Sequence, residues 1–66
     1  MKPGDLLATC EVLFVTVWSK AACWIWKMDE VGIFTGEKCG ETIQVLVAGR
    51  IGWVIKKNVR IVVQDS

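Results

Sequence analysis

A chain of 66 residues holds one small domain, because a protein this short hides only roughly 60% of the surface that its unfolded form exposes. With 53% apolar residues and four tryptophans it has enough hydrophobic surface to fold, which argues against disorder. Eight Lys and Arg against seven Asp and Glu leave a charge of +1, too little for a global field that draws the protein to nucleic acid or an anionic membrane.

Taken in chain order, Pro3-Gly4-Asp5 is a turn signal that delivers the chain into a first strand, Leu6 to Thr9. The run Glu11 to Trp18 is rich in branched and aromatic residues and predicts a second strand. Both of its faces are apolar, Val12, Phe14, Thr16 and Trp18 on one and Leu13, Val15 and Val17 on the other, so it predicts cover on both sides. Ser19 to Cys23 reads as a loop or a helical turn. Trp24-Ile25-Trp26 alternates, with both indoles on one face. The apolar stretch Val12 to Trp26 contains Lys20 and falls short of the about 20 residues that span a bilayer.

Val31 to Thr35 predicts a strand entering a turn-rich segment, Gly36 to Gly40. Thr42 to Val47 returns as its hairpin partner, with Ile43, Val45 and Val47 on one face. Ala48-Gly49-Arg50 is a tight turn, and Ile51 to Ile55 is a strand whose Gly52 suits a bend or a close backbone approach. Lys56-Lys57-Asn58 predicts a turn or one turn of 3₁₀ helix. Val59 to Val63 closes the chain with Val59, Ile61 and Val63 as an inward row. No helical period persists, and there is no repeat or linker. The expected architecture is one all-β domain over residues 1–66: a small barrel of five to six short antiparallel strands, closed on itself, with a 3₁₀ turn before the last strand.

The residues Asp29 to Phe34, Thr42 to Ala48, Gly49 to Val54 and Lys56 to Val62, with Pro3 to Leu7 at the start, resemble the small Src-homology-3-like (SH3-like) barrels of bacteria and bacteriophages. In that resemblance Asp29 to Phe34 is the strand leaving the long first loop, and Lys56 to Val62 holds the 3₁₀ turn and final strand. The resemblance implies a free-standing phage or prophage protein that docks on a larger assembly or a host protein, in the host cytoplasm or a virion. It does not extend to the proline-binding groove, because the acidic first loop and the tyrosine pair are missing and the chain has no tyrosine.

Trp18, Trp24, Trp26 and Trp53 are the candidate partner-binding residues, with Phe14 beside them as an aromatic platform. Each also has a reading as core, strongest for Trp18, which continues an apolar strand; Trp24 and Trp26 fall where a loop is expected. Lys56, Lys57 and Arg60, with Arg50 as a further member, form a basic cluster that reads either as a solvated turn or as a phosphate contact. Cys10, Cys23 and Cys39 lack a Cys-x-x-Cys pair and the chain has no histidine, so neither a zinc site nor a catalytic triad is expected. Their odd number favours three small buried thiols in a reducing compartment, with one bridge plus one free thiol as the alternative.

No cofactor or metal is expected. Met1 and the lack of a basic-then-apolar leader read as a complete, cytoplasmic gene product. These features predict a non-catalytic protein-interaction module that meets a protein partner or a second copy of itself, without a membrane. The alternative is a nucleic-acid-binding barrel using Lys56, Lys57, Arg60 and a stacking tryptophan.

Overall fold

Branched and aromatic residues set the strands and glycine-containing turns separate them. In the computed structural model, which describes residues 1–18 and 22–62, the strands are β1 (Leu6–Thr9), β2 (Leu13–Val17), β3 (Ala22–Trp26), β4 (Gly32–Cys39), β5 (Thr42–Val47), β6 (Arg50–Ile55) and β7 (Val59–Ile61). A 3₁₀ turn, Lys56–Asn58, joins β6 to β7, where the sequence places it. All pairings are antiparallel, and the single sheet runs β3-β2-β6-β5-β4-β1-β7. It curls into a half-barrel. Among the described residues β3 and β7 are its free edges, so the sheet is not the closed barrel that the hydrophobic pattern predicts.

The strand count exceeds the expected five to six because Trp24 and Trp26 lie in β3, where a loop was expected. This strand pairs with β2 over its whole length, from Leu13↔Trp26 to Val17↔Ala22. The segment Gly36 to Gly40 is likewise not a turn throughout. β4 continues to Cys39 with a register shift between Phe34 and Lys38, and only Gly40 and Glu41 turn the chain. A bulge of this kind bends a strand without ending it.

The N-terminal turn is as read: the Asp5 amide donates to the Lys2 carbonyl at 3.0 Å, and the Asp5 carboxylate accepts from the Lys2 amide at 2.8 Å. The Ala48-Gly49 loop links the paired residues Val47 and Arg50, with φ of 51° at Ala48 and 79° at Gly49. Two left-handed residues in a two-residue hairpin match the right-handed twist of the strands they join.

The core is Leu7, Val15, Trp26, Phe34, Ile43, Val45, Val47 and Val54, with Leu13, Trp24 and Val59 packed against it. The alternation of β5 holds, since Ile43, Val45 and Val47 are all buried. Trp26 has no exposed surface, and its Nε1–H donates to the Glu30 carbonyl at 2.9 Å. Burying an indole stabilises by roughly 4–6 kcal/mol before entropy is counted.

Gly52 is the close approach that the sequence suggests. A Cβ there would press on Val15 Cγ1, stand 3.0 Å from the Thr16 carbonyl oxygen and 3.2 Å from Trp24 Nε1. The missing side chain lets β2 and Trp24 settle against β6. The final strand departs from expectation: Val59 is half-buried, but Ile61 is 43% exposed, because among the described residues β7 has a neighbour on one side only. Val63 lies outside the described residues.

Candidate interaction surface

A curled sheet has a filled inner face and an outer face that meets solvent, and here the outer face is apolar too. Register puts Leu6 opposite Ile33, Ile33 opposite Leu46, and Leu46 opposite Ile51, an aliphatic row across β1, β4, β5 and β6. Ile33, Leu46 and Ile51 are 39%, 37% and 46% exposed. Directly opposed residues on one sheet face stand about 4.5–5.5 Å apart at Cβ, so these side chains form a continuous strip.

A second row crosses Gln44, Trp53, Thr16 and Cys23. Beside it, on one side, runs a further row in which Thr42 faces Ile55 and Phe14 faces Ile25. Trp18 folds back over this row and stacks on Trp53, ring centroids 4.2 Å apart and planes 5° from parallel. Phe14 is 71% exposed, the most exposed large apolar side chain among the described residues. A hollow of about 190 Å³ opens between Phe14, Thr16, Trp18, Trp53, Ile55 and Asn58. That is below the size of pockets that enclose a drug-sized molecule. It suits a side chain of a larger partner.

A wider depression of about 450 Å³ lies between Gly40, Glu41, Ile55, Lys56 and Lys57, so Ile55 borders both. The two lysines of the 3₁₀ turn therefore stand at one end of the aromatic hollow. Arg60 is exposed on the edge strand β7, opposite Ala8. Arg50 does not join them. It starts β6 while Lys56 follows its end, its guanidinium lies 4.6 Å from the Trp24 ring centroid, and it pairs with the Glu30 carboxylate at 3.5 Å.

The four candidate tryptophans separate. Trp18 and Trp53 come together on the outer face. Trp24 is half-buried, its Nε1–H donating to the Ile51 carbonyl at 3.2 Å. Trp26 is removed from the candidate partner-binding residues, because a side chain with no exposed surface touches nothing outside the core. The expected cover on both sides of β2 is also corrected: Val15 is buried while Phe14 and Thr16 are exposed. The cysteines are free and exposed, not buried. Among the described residues no cluster of three His, Cys, Asp or Glu could hold a metal ion, and no helix is long and apolar enough to cross a membrane.

Sequence reasoning missed Ile33, Leu46, Ile51 and Ile55 as surface. The signal was present for Leu46, which lies between Val45 and Val47 of the row read as one face, so period two sends it outward; no such row was read beside Ile33, Ile51 or Ile55. Comparison with protein-family models, curated proteins and solved structures finds no match.

Proposed function

We propose that this chain is a non-catalytic protein-interaction module built as an SH3-like barrel, and that its partner seats apolar side chains on the outer face around Phe14, Trp53 and Ile55. One observation carries the reading: the outward positions of neighbouring strands are filled in register by Ile33, Leu46 and Ile51, and by Trp53, Ile55 and Phe14. A contiguous apolar patch is unfavourable in water and marks a surface that meets another chain. The strand order β6-β5-β4-β1-β7, the 3₁₀ turn before β7 and the β2–β3 hairpin between β1 and β4 support the SH3-like part.

The test is selection of a random displayed peptide library on the folded protein, with counter-selection on a Phe14→Ser, Ile55→Ser variant. Enriched peptides should bind the original at least about tenfold more tightly than the variant, as loss of a central apolar anchor does. Peptides that bind both equally would move the site elsewhere.

A second reading has its own observation. Ile55 places Lys56 and Lys57 beside the hollow that Trp53 lines, which is the combination of cation and aromatic ring that holds single-stranded nucleic acid. It predicts quenching of tryptophan emission by oligonucleotides at low salt and loss of binding as salt rises. The aliphatic Ile33, Leu46 and Ile51 favour a protein partner, since they offer no hydrogen bond to a base.

A further inference from the structure

The two ends of the sheet differ in a way that bears on self-association, independently of what the outer face binds. An edge strand exposes a row of unpaired backbone donors and acceptors, and proteins protect such rows with charge, proline, bulges or brevity. β7 is protected: it has three residues and carries Arg60, which would meet a second Arg60 near a symmetric junction. β3 has five residues, Ala-Cys-Trp-Ile-Trp, with no charge, proline or glycine, and its register with β2 is unbroken. Among the described residues nothing pairs with its other side.

We propose that β3 is a homodimerisation edge, at which two copies of this chain join antiparallel strands about a two-fold axis at Trp24 and continue one sheet through both. An antiparallel strand is complementary to itself under such an axis, so one patch serves both copies. With the axis at Trp24, Cys23 of one copy stands opposite Ile25 of the other. The Phe14–Ile25 and Thr16–Cys23 rows then run on across the junction. On the inner side each half-buried Trp24 indole reaches back to the Ile51 carbonyl of its own β6, with Arg50 on its ring and Glu30 pairing that arginine, so the edge backbone is left clear for a second strand. Within β3 itself no residue carries a charge to be opposed at the seam.

Two measurements test this. Light scattering over a dilution series should show a monomer–dimer equilibrium, weakened at least about tenfold in Cys23→Lys, Ile25→Lys, where lysines oppose one another across the axis. Both positions are exposed, so the variant keeps its fold, checked by circular dichroism. In a Cys10→Ser, Cys39→Ser background, Ile25→Cys places a thiol opposite Cys23 of the second copy, within disulfide reach. Mild oxidation should link this protein into covalent dimers but leave the same background with Ile25 unlinked. A wild-type monomer throughout, a dimer indifferent to the lysines, or linkage that does not need position 25 would each overturn the proposal. None of them alters the peptide-selection result for the outer face.

Discussion

Trp18 and Trp53 lie ring on ring, at 4.2 Å and 5°, and this stack fastens the β2–β3 hairpin to the rest of the sheet from outside. A single register pair, Thr16↔Trp53, joins β2 to β6. The stack covers that pair while Gly52 admits Val15 beneath it. A double-mutant cycle of Trp18→Ala and Trp53→Ala, followed by denaturant unfolding, should give a coupling of about 0.5–1.5 kcal/mol. Additive losses would mean that the rings do not hold the hairpin.

Gly52→Ala should destabilise by about 1–3 kcal/mol, because the added methyl meets the Thr16 backbone oxygen and Val15 where neither can yield freely. For a domain of this size that lowers Tm by roughly 5–20 °C. An unchanged Tm would show that β2 and β6 separate without cost.

 Alanine at φ 51° sits in the left-handed region, which suits it poorly. Ala48 has that φ in a two-residue loop with Gly49. Ala48→Asn creates the Asn-Gly pair that such loops favour and should stabilise by about 0.5–1 kcal/mol, read as a rise in denaturation midpoint. A fall would mean that the loop takes another form.

Trp26→Phe removes the hydrogen bond to the Glu30 carbonyl and opens space in the core. It should cost about 2–4 kcal/mol in urea unfolding. Phe14→Ser, at a side chain 71% exposed, should change stability by no more than about 0.5 kcal/mol. Equal losses at the two positions would contradict the assignment of inner and outer faces.

Cys10, Cys23 and Cys39 should all react with iodoacetamide in the folded protein, since each is free and exposed. Intact mass after labelling without denaturant reads this directly. Protection of any one of them until unfolding would return it to the interior.

The sequence revealed those parts of the fold where two local signals agreed. Pro3-Gly4-Asp5 before an apolar run located β1, alternation at Ile43, Val45 and Val47 located β5, and Lys56-Lys57-Asn58 located the 3₁₀ turn. The faces of β2 were not legible, because period two separates Val15 from Phe14 without saying which is covered. That depends on Gly52 in a distant strand. Trp24 and Trp26 looked like loop residues for a related reason: the partner that makes β3 a strand is β2, and three alternating residues do not by themselves say what they pair with. Of the candidate site, Trp18, Trp53 and the lysines were named in advance, but their meeting around Ile55 follows from strand register.

The pairing of β1 with β7 couples Leu7 to Ile61 and Thr9 to Val59, while β1 also pairs with β4. A folding polypeptide thus holds β1 half-matched until β7 arrives. Long-range closure of this kind is slow relative to local hairpin formation. Nascent chains paused before Val59 would expose one side of β1 and be the form most open to chaperones and proteases.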